Sequence, residues 1–249
     1  MPPKTGSTSE ATDDYLKAIL ELSGPSAEPV SSNDLAARLK VRAASVTGML
    51  QKLARQRPPL VLYRKHHGVR LSAAGARRAW EIVRHHRLLE LFLHDVLNYS
   101  WDEVHEEAER LEHFISERFE ERVAAILGDP EFDPHGHVIP HRNGTLPLRA
   151  EAPLLQWPLE TPATISSVSD HESAALRELR GLGLVPGAEL QIEQKNPNVA
   201  LVIRLKGQKQ PFRLSHELAA LIAVERSGSG FLVPGVGLEP THPLPDNGF

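Results

Sequence analysis

The sequence predicts a mainly α-helical chain with a winged helix-turn-helix at its start and a small β domain at its C-terminal end. Three observations predict it. Most of the stretch between residues 10 and 127 carries apolar residues at helical spacing. Within it, two short helices are followed directly by a strand–turn–strand pattern. Beyond residue 157 the pattern changes to short β-like runs.

The elements follow in order. "EATDDYLKAILEL", 10–22, reads as a helix with Tyr15, Leu16, Ile19, Leu20 and Leu22 on its apolar side and Thr12 as N-cap. After the loop "SGPSAEP", "SSNDLAARLKV" opens on capping residues and makes a short helix. A turn at Lys40 and Val41 leads into a second, "RAASVTGMLQKLARQ". "LVLYR" and "VRLS" are strands around the turn "KHHG", which places a wing behind a recognition helix. A long helix is expected from Ser72 to Leu97, and a second over 98–127, starting at Ser100 with Glu103 as capping-box partner. These two are long enough to pack as an antiparallel pair or across a dimer interface. "GDPEFDPHGHVIPHRNGTLPLRAEAP" reads as loop and linker. The runs "ATISSVS", "AELQIEQ", "ALVIRLK" and "QPFRLS", with the helix "HESAALRELRGLG" among them, predict a small all-β barrel. The Gly/Pro-rich tail is expected to be mobile. The expected domains are 1–72, 73–148, a linker at 149–156, 157–226, and a tail at 227–249.

Composition excludes several function classes. The 249 residues include no cysteine, which removes disulfides, thiolate metal sites and cysteine nucleophiles. There is no apolar run long enough to span a membrane and no signal-peptide core, so a cytoplasmic protein with no membrane partner is expected. Net charge is -4, yet residues 31–87 hold 13 Lys/Arg against two acids, Asp34 and Glu81. Residues 88–133 hold 14 acids against three Arg. A basic block before an acidic one suggests a polyanion-binding face joined to a cation-binding one.

The acidic block has a pattern. In "VHEEAERLEHF", His105, Glu109, Glu112 and His113 stand at i, i+4, i+7 and i+8, along one side of a helix and beside the apolar stripe Val104, Ala108, Leu111, Ile115. The preceding helix carries His86 and Glu90 at i, i+4, and the first helix begins with Asp13 and Asp14. Such a set of nitrogen and carboxylate donors without sulfur suits Mn²⁺, Fe²⁺, Co²⁺ or Zn²⁺. His85 is the rival of His86, but spacing to Glu90 favours His86. His94 reads as a packed or surface residue, and Trp80 and Trp101 as core of the helical domain. His66 and His67 read as wing-tip residues. His135, His137 and His141 are assigned a loop role.

The order of winged helix, "HHRLLELFL", "VHEEAERLEH", "DPHGHVIP" and small barrel resembles the diphtheria toxin repressor family of metal-dependent transcriptional regulators, its manganese-responsive branch above all. The resemblance spans roughly residues 9–226. It implies a homodimer with an SH3-like (FeoA-like) third domain that binds double-stranded operator DNA and has no small organic substrate. It implies a regulatory metal site of Asp14, Glu109, Glu112 and His113. An ancillary site would use His86, Glu90 and His105, with Glu172 from the third domain. Iron-responsive members have Met and Cys where this chain has Asp14 and Glu109, so manganese is expected first and iron second, with Co, Zn and Cd as substitutes in vitro. Two departures stand out. A family Gln three residues after Glu172 is Ala175 here, leaving Asp170 or His171 to replace it. Two-domain manganese members place Glu where this chain has Lys17, whose charge would repel a close second cation, so two separated sites are expected.

On the recognition helix, Arg42, Ala44, Ser45, Thr47 and Gly48 are candidates to approach bases or phosphates. Lys52, Arg55, Arg64 and Lys65 are candidates for phosphate contacts. The resemblance implies repression of metal uptake. Two rival readings are a metal-dependent enzyme using the carboxylate/His site, and a winged-helix regulator that senses an organic ligand.

Overall fold

A computed structural model describes residues 10–24, 27–147, 149–196 and 200–228. The C-terminal tail expectation lies almost wholly outside them. The chain divides into two compact units. One takes in residues up to Arg149 together with Ser169–Glu178; the other is Ala150–Val168 with Leu179 onward.

The first unit begins with α1 (Glu10–Ser23), α2 (Ser32–Arg38) and α3 (Ala43–Ala54), then the hairpin of β1 (Val61–Arg64) and β2 (Gly68–Leu71). Helix α1 starts two residues before the predicted cap, so Thr12 lies inside it and is buried, while Leu22 is exposed. Ser31 caps α2 by accepting from the Asp34 amide at 3.1 Å. Lys40, at φ 54°, turns the chain between α2 and α3. Val46, Leu50 and Leu53 recur on one face of α3 and are buried against Leu16, Ile19 and Leu35. That burial holds α3 in place and leaves its other face outward. The wing is pinned by the Val30–Val69 bridge. Gly68 is required there, because a Cβ would sit 2.8 Å from the Val30 carbonyl oxygen.

Helix α4 (Ala73–Asp95) follows at once. Ser72 caps it, accepting from the Gly75 amide at 3.1 Å and donating to the Pro59 carbonyl at 2.5 Å. Gly75 lets the first turn press on the wing; a Cβ there would collide with the Leu60 carbonyl at 1.9 Å. Two apolar clusters grip α4: Leu89 and Leu93 with Val104 and Ala108 of α5 (Val104–Leu111), and Leu88 and Leu91 with Val123 and Ala124 of α6 (Glu117–Ile126) and Ile139.

The single helix predicted over 98–127 is therefore two. Ser100 Oγ and Glu103 Oε2 do pair at 2.5 Å, but regular helix begins at Val104. The break falls at 112–116, where Ser116 is extended and caps α6 by accepting from the Phe119 amide. Helical periodicity continues across this joint, which hides it in sequence. The supposed linker is corrected as well. Asp133 Oδ1 accepts from the amides of His135 (2.8 Å) and His137 (3.0 Å), Phe132 bridges Val138, and Ile139 is buried. Arg84 and Arg87 of α4 donate to the carbonyls of Pro140 and Val138. A Pro/Gly/His composition reads as loop, but an aspartate that satisfies its own backbone folds the segment onto α4.

In the second unit a six-stranded antiparallel sheet has the order β3 (Ala152–Pro153), β8 (Ile222–Arg226), β4 (Ala163–Val168), β5 (Glu189–Asn196), β6 (Ala200–Leu205), β7 (Phe212–Ser215). It begins inside the stretch expected as a linker. No described pairing closes it into a full barrel. Alternate residues of β6 are buried with Ile165, Ile192 and Val224. In chain order α8 (His216–Ala219) falls between β7 and β8, and α7 (Ser173–Gly181), which belongs to the first unit as far as Glu178, between β4 and β5. No helix among the described residues is long and apolar enough to cross a membrane.

Candidate metal centre

The first unit gathers charged side chains from α1, α4, α5 and two loops into one buried network. At one end, Lys17 of α1 points its ammonium between the acids of α5. It donates to Glu109 Oε1 at 2.5 Å and to both oxygens of Glu112 at 2.9 and 3.1 Å, and lies 3.3 Å from His86 Nδ1. Glu112 is fully buried. Burial opposes the charge on Lys17, yet the two glutamates outweigh it and raise its pKa.

His86 links this end to the other. Its Nδ1 lies 2.6 Å from Glu112 Oε2, and its Nε2 lies 2.9 Å from Glu90 Oε1 and 3.1 Å from His105 Nδ1. Around the fully buried Glu90 stand His105 at 3.2 Å and His135 Nδ1 at 3.7 Å. Asp170 lies 3.6 Å from both His105 and His137. Burial would lower the pKa of His86, but Glu90 and the Glu112 hydrogen bond push it up to about 10. Burial also opposes charge on His135, whose pKa Glu90 raises to about 9. Burial opposes the charge on Glu90 too, but the imidazoles, His86 first, hold its carboxyl well below the usual range.

A third patch joins α1 to the turn after α5. His113 Nε2 lies 3.1 Å from Asp14, and its Nδ1 lies 3.6 Å from the buried Asp13. Arg78 of α4 grips Asp13 through two nitrogens at 3.0 and 3.1 Å. Burial would lower the His113 pKa, but the nearby carboxylates of Asp13 and Asp14 push it up to about 10.

The donor set fits a divalent ion. Glu90 Oε2, Asp133 Oδ2, His135 Nδ1 and His113 Nδ1 are buried without a hydrogen bond. His135 Nε2 engages the Trp101 carbonyl at 2.9 Å, which aims Nδ1 at Glu90. Buried charges need partners or metals. Among the described residues, three groups bring donor atoms within 4.8 Å of one another: His86, Glu90, His105 and Asp170; His86, Glu109 and Glu112; and Glu90, Asp133 and His135.

The expected ancillary residues His86, Glu90 and His105 are thus together. Asp170 joins them, while Glu172 is exposed and does not. The expected regulatory residues are neighbours: His113 Nε2 lies 3.1 Å from Asp14 and 3.6 Å from Glu112 Oε1, while Glu109 and Glu112 also hold Lys17. Sequence reading missed Asp133, His135 and His137 as members. Their signal was the Asp-x-His-x-His spacing, which a loop reading obscured. His85 is a strut, bonded to the Glu112 carbonyl and to Glu120. His94 pairs with the adjacent Asp95, and Trp101 is core.

Ala44, Ser45, Gly48 and Lys52 are exposed on α3, Arg42 and Arg55 at its two ends, and Arg64 and Lys65 at the wing. Thr47 is half-buried and donates to the Ala43 carbonyl at 3.2 Å.

Family models match all three parts. The iron-dependent repressor N-terminal DNA-binding domain matches residues 7–69, the iron-dependent repressor metal-binding and dimerisation domain 72–141, and the FeoA domain 152–226. A solved manganese-dependent transcriptional repressor in complex with manganese is 34% identical, covering 86% of this chain and 98% of its own, at a TM-score of 0.79. The chain belongs to the iron-dependent, or diphtheria toxin, repressor family. It is also similar to the manganese regulator SloR, at 33% identity and TM-score 0.70 over 86% of this chain and 98% of that one. The iron-dependent repressor IdeR of Mycobacterium leprae is 28% identical over 232 residues, 87% of this chain and 97% of that protein. This is a family of repressors, not of enzymes. Its three-part order matches the two helical-unit segments and the β sheet described above.

Proposed function

We propose that the chain is a cytoplasmic, divalent-metal-dependent repressor that binds operator DNA as a homodimer and restrains genes of metal uptake. Manganese is the proposed signal and Fe²⁺ the second choice, because every donor is nitrogen or carboxylate oxygen. The observation that carries the reading is the meeting of Asp14, on the helix that shares an apolar core with the recognition helix, with His113 of the helical segment at 3.1 Å. The proposed regulatory ligands are Asp14, Glu109, Glu112 and His113. The proposed ancillary ligands are His86, Glu90, His105 and Asp170, with Asp133, His135 and His137 beside them; Asp170 takes the part left open by Ala175, and the exposed Glu172 is not among the grouped donors.

When bound, the ion supplies concentrated positive charge to carboxylates that two segments share. The residues do the rest. Asp13, held by Arg78, orients His113 so that Nε2 faces Asp14. Asp14 belongs to α1, so its engagement fixes how α3 is presented. Ordering α1 favours the DNA-competent form, and DNA in turn tightens metal binding. Phe114, Phe119 and Ile126 are exposed on the helical segment and offer apolar surface to a second copy. In a dimer, two α3 helices would meet successive major grooves about one helical turn apart.

The test is a titration of Mn²⁺, Fe²⁺ and Zn²⁺ into metal-stripped protein with DNA from upstream of a manganese-transporter gene, at fixed salt. Binding should appear with Mn²⁺ and vanish in Asp14→Ala, which is remote from the exposed face of α3. Metal-independent binding by both proteins would remove the switch.

A further inference from the structure

Lys17 occupies a position shaped like a ligand shell. Four donor atoms surround its nitrogen: Glu109 Oε1, both oxygens of Glu112, and His86 Nδ1, at 2.5 to 3.3 Å. His86, Glu109 and Glu112 also form one of the three groups with metal-ligand spacing. The same place therefore has the donors of a cation site and already holds a cation.

We propose that the Lys17 ammonium is the resident occupant of this position, so that the regulatory ligands take a single divalent ion on their Asp14 and His113 side and the Glu90 cluster takes another, with no second ion in the place the ammonium fills between His86, Glu109 and Glu112. This rests on the metal-dependent reading above and deepens it: Lys17 determines how many ions the site takes. Three features support it. The ammonium is covalently tethered, so it competes at a high effective concentration. Displacing it would leave a nearly buried ammonium unpaired while a second positive charge arrived within a few ångströms. The tie also joins α1 to α4 and α5 without any ion, as a bridging metal would. Glu109 and Glu112 then serve Lys17 and the single regulatory ion together, Glu112 Oε1 lying 3.6 Å from His113 Nε2.

The experiment counts Mn²⁺ bound to the full chain by equilibrium dialysis with elemental analysis and records its electron paramagnetic resonance spectrum. Wild type should show isolated ions. Lys17→Glu should bind one more ion per chain and show the exchange-broadened signal of two Mn²⁺ about 3.5–4 Å apart. Should Lys17→Glu fail to fold, Lys17→Met decides: it opens the position without adding a ligand and should also gain an ion. Its thermal midpoint should rise more on Mn²⁺ addition than that of wild type. Equal ion counts in wild type and the folded variant, or an exchange-coupled pair in wild type, would overturn the proposal. No Mn²⁺ on either protein would sink the metal-dependent reading itself, and this proposal with it.

Discussion

The two ends of the buried network use the same residue types and reach different states. At the Lys17 end, two glutamates are answered by a tethered ammonium that makes hydrogen bonds to both. At the Glu90 end, a fully buried carboxylate is answered only by imidazoles, and three buried donor atoms have no hydrogen bond. The Lys17 ammonium, its pKa raised, keeps its charge at neutral pH, whereas an imidazolium that surrenders its proton frees a ring nitrogen to bind a metal. The lesson is that a cluster of acids and histidines does not define a metal site until its counter-charges are known.

The largest effect should come from Glu90→Ala. It leaves His86, His105 and His135 without their shared carboxylate and should lower metal-free stability by about 3 kcal/mol, the scale of a broken buried pair. Urea unfolding measures it; a loss under ~1 kcal/mol would mean the two ends are balanced alike. Asp14→Ala sharpens the contrast from the other side. Its carboxylate is 42% exposed, so stability should change by only about 0.5 kcal/mol while metal-dependent DNA binding is lost.

Glu120 tests whether acids on α6, away from both ends, are purely structural. Burial would raise its pKa, but hydrogen bonds from His85 and Arg84 lower it below the ordinary 4.5. A depressed carboxylate contributes stability that is present above its unfolded pKa and lost as pH falls through its folded one. Thermal midpoints should therefore fall more steeply below pH 4.5 in wild type than in Glu120→Gln. Identical acid limbs would remove Glu120 from the account. The smallest effect is a control outside the network. Lys52→Gln, on the exposed face of α3, should weaken binding to all DNA sequences alike and reduce the salt slope by about 1, with metal occupancy unchanged.

Much of this was legible in the chain. Ser31, Val46, Leu50 and Leu53 mark the cap and buried face of the helix-turn-helix, and those signals span only a few residues. The i, i+4 spacing of His86 and Glu90 foretold their shared face. The break at 112–116 was not legible, because the apolar stripe runs through it into Ile115 and only the extended backbone at Ser116 stops the helix. His135 was passed over because its segment reads as linker until Asp133 is seen to fold it back.

The sequence by itself determined the order of domains, the winged helix and the presence of a His/Glu row free of sulfur, since each depends on local spacing or composition. Only tertiary structure decided which acids meet which cations. Lys17 and Glu112 lie 95 positions apart, and Asp170 reaches His105 from a different part of the chain. Periodicity names the face a residue occupies. Packing alone names the charge that waits opposite it, and that charge separates a carboxylate already answered by an ammonium from one faced only by imidazoles.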